Sequence, residues 1–158
     1  MNNLLGVFLL SMAPICELRG AIPLGFAWGI HPALVVLAAV LGNLLPMPFL
    51  IVFGGKILRY FAKFEKFGKP FRWFLTLGER KTAKMLKTGK KLFWGLMTFV
   101  AIPLPMTGAW TGALISITLQ LDLKKSMPAI ALGVAVAGAI ITACFLWLSP
   151  EVFKALFG

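Results

Sequence analysis

The sequence predicts an all-α integral membrane protein made of inverted repeats, each a re-entrant helical hairpin followed by a spanning helix. Three observations carry this prediction. Hydrophobic residues make up 59% of the 158 residues, more than a soluble domain of this length contains. The apolar stretches are long and mostly uncharged. A broken apolar segment followed by a full span occurs twice, on either side of a basic segment. We therefore expect one membrane domain, 1–158, with repeat one at 1–58, the basic segment at 59–91 and repeat two at 92–158.

The first repeat opens with an apolar stretch that is interrupted. Residues 4–15 reach roughly 18 Å as a helix, which is short of a ~30 Å hydrocarbon core. A charged run, ELRGAIP at 17–23, follows before the chain becomes apolar again. Pro14, Gly20 and Pro23 disfavour a continuous helix. The segment is therefore either one kinked span or a hairpin. A hairpin would have its break at 17–23 and its second helix after Gly20, with Pro23 in the first turn.

A full span follows at residues 33–55. Pro46 and Pro48 remove helical N–H donors from its second half. The side chain of Asn43 is expected to satisfy one of the freed backbone carbonyls. A glycine pair, Gly54-Gly55, is expected to end the helix.

The basic segment, 56–91, carries 12 Lys/Arg against Glu65 and Glu79, and so holds nearly all of the net charge of +11. Between apolar stretches, such a segment marks the cytoplasmic side of a membrane and can contact anionic lipid headgroups. Nucleic acid is not the expected partner. Interleaved aromatic and basic residues predict an interfacial amphipathic helix. Two interpretations stay open: a loop that only sets the topology, and a lid or regulatory element.

Residues 92–119 repeat the first pattern, with a break rich in proline and glycine at 103–108. If this segment crossed the membrane fully, Lys124 and Lys125 would lie outside, against the positive-inside rule. A hairpin is therefore favoured. The same rule makes the first segment a hairpin that dips in from the outer face, so that the two breaks can meet near the midplane.

The last span is predicted at residues 129–148. Alanines recur at every fourth position, at Ala131, Ala135, Ala139 and Ala143. A face of small residues allows close helix packing. It would serve either packing inside the chain or a homodimer, and we expect a homo-oligomer.

Charged side chains inside an apolar segment are costly unless they are paired, hydrated or bound to a ligand. Glu17 and Arg19 are therefore the leading site residues. If the breaks meet, the helices that begin after Gly20 and after Thr107 point their N-termini at one place. With Arg19, these helix ends favour an anion such as a phosphate group. Thr107 is expected to cap the second helix. Glu17 would pair with Arg19 or carry a proton, since burial disfavours its charged form. The structural alternative is an ion pair that only fixes the hairpin.

Other chemistry-bearing groups are few. Cys16 and Cys144 have no spacing typical of a disulfide framework or a metal site. Trp110 lies in the second break, where it either lines the site or only packs. The sequence contains no nucleophile–base set and no phosphate-binding loop. We therefore expect no cofactor, no metal, no catalytic residue and no enzymatic activity.

Two segments, PICELRGAIPLG at 14–25 and IPLPMTGAWTGA at 102–113, resemble the two signature segments of the small multi-drug export protein family. The resemblance covers essentially the whole chain. One departure is Met106, where the family has a small residue. The family is distantly similar to the DedA (SNARE-associated, VTT-like) membrane proteins, which implies paired re-entrant hairpins and movement of lipids or lipid carriers such as undecaprenyl phosphate. The candidate site residues are Glu17, Arg19, Gly20, Pro23, Pro103, Pro105, Thr107 and Gly108, with Asn43 and Trp110 as secondary candidates.

The expected function is that of a membrane transporter or lipid-carrier flippase, multi-pass in the plasma membrane, with Glu17 as the candidate for proton coupling. Its expected partners are membrane lipids, an anionic lipid or polyprenyl phosphate as substrate, protons and a second copy of the chain. One alternative is an exporter of cationic drugs, which needs Glu17 free of Arg19. The other is a non-transporting scaffold or assembly factor, in which the basic segment is the working part.

Overall fold

The computed structural model describes residues 2–61, 89–103 and 107–148. Within these ranges the chain is all-helical and has no strand. The helices are α1 (Asn2–Met12), α2 (Glu17–Ala27), α3 (Pro32–Leu44), α4 (Met47–Phe61), α5 (Gly89–Ala101), α6 (Ala109–Thr118) and α7 (Leu123–Leu148). The all-α prediction is confirmed for these residues. The predicted amphipathic helix of the basic segment falls almost wholly outside them, as does Pro105.

Two helices are long and apolar enough to cross a membrane. They are Pro32–Ile57, which combines α3 with most of α4, and Leu123–Trp147 in α7. The predicted spans at 33–55 and 129–148 lie within them, so both are confirmed by length and composition. The remaining helices of 10–13 residues are too short to span a ~30 Å hydrocarbon core alone.

The first interruption lies earlier than the sequence predicts. α1 ends at Met12, residues 13–16 form a turn, and α2 begins at Glu17. The predicted break at 17–23 is therefore wrong, and Pro23 lies inside α2 rather than in its first turn. Pro14 explains the earlier stop, because the residue before a proline is driven out of the helical region. Burial of one face of α2 against the core outweighs the hydrogen bond that Pro23 removes.

The helix after α2 is interrupted by a turn at residues 45–46 and continues as α4. Gly54-Gly55 does not end it, since α4 runs on to Phe61. Gly54 instead allows close packing: a Cβ atom there would lie 2.6 Å from Cδ1 of Ile117 in α6. Asn43 is fully buried, but among the described residues its side chain has no hydrogen-bond partner, so it does not satisfy a freed carbonyl.

The second interruption lies close to its predicted place. α5 ends at Ala101 and α6 begins at Ala109, with Gly108 as its N-cap residue. The predicted capping role of Thr107 is wrong, because its hydroxyl donates instead to the carbonyl oxygen of Ile102, at 2.6 Å.

The predicted alanine face of the last helix does not pack inside the described chain. Ala135, Ala139 and Ala143 are exposed, and Ala131 is half-buried. The buried face of α7 lies elsewhere on the helix and holds Ala129, Ile130, Gly133, Val134, Ala137 and Gly138. Of the two roles predicted for the alanines, internal packing is therefore excluded among the described residues.

The two halves share one core, and one helix contact recurs in both of them. In each half the first short helix lies against the long helix, α1 on α3 and α5 on α7. A glycine of the long helix makes each contact possible. Gly42 packs against the backbone carbonyl of Phe8, and a Cβ atom at Gly133 would lie 2.7 Å from the carbonyl oxygen of Met97. This repeated order of short, short and long helices places the two interruptions side by side.

A methyl group at Gly42 tests this packing. It would collide with the carbonyl oxygen of Phe8 and the hydroxyl of Ser11. We expect Gly42→Ala to lower the free energy of unfolding by about 1–3 kcal/mol, the usual cost of overpacking. Gly95→Ala is the matched control, because a Cβ atom there has nothing within 4 Å. It should raise stability by about 0.5–1 kcal/mol. Thermal unfolding midpoints in detergent measure both, and equal midpoints would contradict the packing.

Candidate functional site

The carboxylate of Glu17 reaches from the first interruption to the second. Glu17 has a φ of 46°, a left-handed conformation that few residues other than glycine adopt. Its side chain is buried, and Oε1 accepts a hydrogen bond from the backbone N–H of Trp110 at 3.3 Å. That N–H belongs to the first turn of α6, where helical N–H groups have no partner within the helix. Glu17 thus supplies the negative charge that a helix N-terminus favours.

Gly108 leaves the space that this contact needs. A Cβ atom at position 108 would overlap the carboxyl group of Glu17. The backbone of Gly108 is extended, at φ −116° and ψ −165°, so the need for glycine is steric rather than conformational. The Glu17 carboxyl group occupies the space that a side chain at position 108 would fill, and this sets how closely the two interruptions approach.

Arg19, in the first turn of α2, binds the second interruption. Its Nη1 donates to Oε2 of Glu17 at 3.3 Å. Its Nη2 lies 2.6 Å from the carbonyl oxygen of Thr107, 3.0 Å from the Thr107 hydroxyl and 3.2 Å from the carbonyl oxygen of Ile102. Three of its four acceptors are neutral oxygens of the second interruption. Arg19 would therefore stay attached to that segment even without Glu17.

Trp110 makes the reciprocal contact. Its indole Nε1–H donates to the carbonyl oxygen of Met12, the last residue of α1, at 3.2 Å. The last carbonyls of a helix lack partners within the helix. The helix that follows each interruption thus donates hydrogen bonds to backbone carbonyls at the other interruption. Arg19 of α2 makes these bonds in one case and Trp110 of α6 in the other.

The structure brings together five of the predicted candidates: Glu17, Arg19, Thr107, Gly108 and Trp110. The other described candidates lie apart from these contacts. Gly20 is exposed and faces Cys16, Pro23 is half-buried inside α2, and Pro103 is exposed in the second interruption. Asn43 is buried at the end of α3.

The sequence prediction did not include two hydrogen-bond acceptors of this site, the backbone carbonyls of Met12 and Ile102. Both accept hydrogen bonds at or next to a helix end. The available signal was general: any interrupted helix in an apolar medium needs donors for its last carbonyls. Choosing the donors requires the three-dimensional arrangement.

The place where the two interruptions meet is called the junction below. Among the described residues, its charges are those of Arg19 and Glu17 and the partial positive end of α6. No described group of three or more His, Cys, Asp or Glu side chains is placed to hold a metal ion. The favourable position for an anion at the end of α6 is filled by Glu17 itself. An external anion would therefore reach the Trp110 N–H and Nη1 of Arg19 only when the carboxylate is neutralised or moves away.

A family profile matches the chain from the start of α2 into the last helix. The profile is that of Sm_multidrug_ex, described as "Putative small multi-drug export protein", and it covers residues 17–140. The chain belongs to this family. The match begins directly after the first interruption and includes the second interruption and all the residues that join the two except Met12. Searches of curated proteins and of solved structures each found no match. Family membership and the long apolar helices together identify a membrane protein.

The steric match of Gly108 and Glu17 predicts non-additive stability changes. Gly108→Ala should lower the free energy of unfolding by about 1–3 kcal/mol, because the methyl group displaces the carboxylate. The same substitution should cost much less in a Glu17→Ala background, where nothing is left to displace. Residues in direct contact show coupling of about 0.5–3 kcal/mol in such cycles.

Gly112→Ala is the matched control for this cycle. One turn further along α6, its methyl group would meet Val100 instead of Glu17. It should cost the same in both backgrounds. Equal costs of Gly108→Ala in the two backgrounds would contradict the contact.

Proposed function

We propose that this protein is a membrane transporter that exports small or amphipathic solutes, and that the Glu17–Arg19 pair at the junction is its cargo and proton site. The observation that carries the proposal is a buried carboxylate held between two interrupted helices by contacts of 3.3 Å. Ionisable groups inside membrane segments usually mark transport paths. The family description, small multi-drug export, supports the same class of function.

The proposed arrangement in the membrane has two hairpins, α1–α2 and α5–α6, that re-enter from opposite faces as inverted repeats. Short helices paired with two spanning helices support it, as does the meeting of the two interruptions. In this arrangement the protein is multi-pass in the plasma membrane, and the basic segment is cytoplasmic, as its Lys/Arg excess favours. Transporter sites commonly lie where such interrupted helices meet.

Proton uptake and anion binding would be coupled at this junction. A proton on Glu17 removes the negative charge next to the α6 N-terminus. The Trp110 N–H and Nη1 of Arg19 are then free to bind an anionic group, while Arg19 stays attached through Thr107 and Ile102. We therefore propose a cargo with a phosphate or similar anionic group, such as an anionic lipid or a polyprenyl phosphate.

Export of cations is the weaker candidate within transport. A cation bound to Glu17 would lie beside the Arg19 guanidinium, which the neutral oxygens of the second interruption hold in place. Like charges this close repel each other strongly in a medium of low dielectric constant. A non-transporting scaffold would depend on the basic segment rather than on the junction.

The remaining parts of the proposal concern partners. Membrane lipids and protons are the proposed partners, with a second copy of the chain on the exposed alanine face of α7, and nucleic acid is not one of them. We further propose that the protein carries out transport without enzymatic turnover.

The test is movement of a fluorescent polyprenyl-phosphate analogue across proteoliposomes with an imposed pH gradient. Arg19→Gln should slow it by roughly tenfold or more, because losing hydrogen bonds to a charged group costs about 1.5–3 kcal/mol each. Glu17→Gln should remove the dependence on the pH gradient, because the glutamine amide does not ionise as a carboxyl group does.

Matched controls use a second ion pair outside the junction. Nζ of Lys125 and Oδ2 of Asp122 lie 3.7 Å apart, and both side chains are highly exposed. Lys125→Gln and Asp122→Asn should therefore leave movement of the analogue unchanged.

A lipid with a choline headgroup and a lipophilic phosphonium cation serve as alternative cargoes. Movement of the cation alone would replace the anion proposal with cation export. Movement of none of the three by folded protein would overturn the transport proposal in favour of a scaffold.

A further inference from the structure

Asn43 differs from the other buried polar side chains of the described residues. The hydroxyls of Ser11, Ser116 and Ser126 each donate to a backbone carbonyl three or four residues earlier, at 2.7–3.2 Å. Glu17 contacts Arg19 and α6. Asn43 has 0% of its surface exposed, and neither Oδ1 nor Nδ2 bonds to any described residue. Its amide is therefore the one member of this buried set without a partner in the described chain.

An unpaired amide here has a cost that a different residue would avoid. A serine can bond back to its own helix, whereas an asparagine amide offers two donors and an acceptor that reach outward. Leaving such a group buried and unpaired destabilises the folded state. Leucine would suit an apolar interior better and is also the better helix former. The amide therefore calls for a partner that the described chain does not supply.

The position of Asn43 is close to the first interruption. The preceding residue, Gly42, packs against Phe8 and Ser11 in the last turn of α1, just before the turn at 13–16. Pro46 follows one turn later and has no N–H to donate to the carbonyl of Gly42. Besides Oδ1 of Asn43, the backbone carbonyl of Gly42 is therefore also without its usual helical donor. The end of α3 is a polar position at the level of the first interruption.

We propose that Asn43 is a polar binding position inside the membrane part of the protein, and that it takes a hydroxyl group, supplied either by water or by the cargo. A hydroxyl both donates and accepts, as the amide requires. Water supplies this hydroxyl as a neutral molecule, and a phosphate cargo supplies it as its P–OH group. The cargo source rests on the proposed transport function, whereas the water source does not.

Cysteine accessibility tests the position directly. Asn43→Cys is made in a Cys16→Ser, Cys144→Ser background, since these are the two natural cysteines. A small water-soluble methanethiosulfonate reagent is applied to proteoliposomes with and without the polyprenyl-phosphate analogue. Val35→Cys is the matched control, because Val35 is also fully buried on α3 but has an apolar side chain. We expect labelling at position 43 to be at least tenfold faster than at position 35.

Each outcome decides the proposal. Labelling that the analogue slows identifies the cargo as the source of the hydroxyl, and labelling that it leaves unchanged identifies water. Labelling as slow as at position 35 overturns the proposal. Because labelling does not require transport, this result stands even if the wild-type protein moves no probe, so the two proposals fail separately.

A stability measurement checks the same inference without cysteine. Asn43→Leu should raise the thermal unfolding midpoint, because it removes an unpaired amide, and it should slow movement of the analogue at least fivefold. Thr142→Val is the matched control, since the Thr142 hydroxyl is also without a partner among the described residues but lines an apolar groove between α3 and α7. It should leave movement unchanged. Unchanged movement with Asn43→Leu would contradict a role in binding cargo or its hydration.

Discussion

The contact between the Glu17 carboxylate and the first turn of α6 fixes how the two halves of the described chain meet. It joins residues far apart in sequence, and it requires a left-handed backbone at Glu17 and no side chain at Gly108. A strained backbone persists only where surrounding contacts fix it. Here those contacts come from the other half of the protein, so each interruption keeps its shape because of the other.

The contacts between the two interruptions satisfy backbone groups that apolar surroundings would leave without hydrogen bonds. An interrupted helix leaves backbone donors and acceptors unpaired, and hydrocarbon offers them nothing. Arg19 donates to carbonyls of the second interruption, and Trp110 donates to the last carbonyl of α1. The same side chains that stabilise the fold are thus the ones able to bind charge. Under the proposed function, cargo that replaced one of these contacts would also loosen the junction.

The sequence predicted the spans, the second interruption and the leading charged pair, because each follows from hydropathy, proline content or the cost of buried charge. It misplaced the first interruption, because Gly20 and Pro23 look like helix breakers, whereas burial of α2 tolerates both and Pro14 stops α1 earlier. The roles of Thr107 and Asn43 were also missed. Which acceptor a hydroxyl chooses, and whether an amide finds a partner, depends on distances between elements that no local pattern contains.

The central claim is that Glu17 contacts the first turn of α6, and a solid-state NMR distance in lipid bilayers tests it most directly. The nuclei are the carboxyl carbon of Glu17, labelled with ¹³C, and the backbone nitrogen of Trp110, labelled with ¹⁵N. The account predicts a measurable dipolar coupling, in keeping with the 3.3 Å between Oε1 and this nitrogen. No detectable coupling in folded, inserted protein would contradict it, because Glu17 would then not contact the first turn of α6.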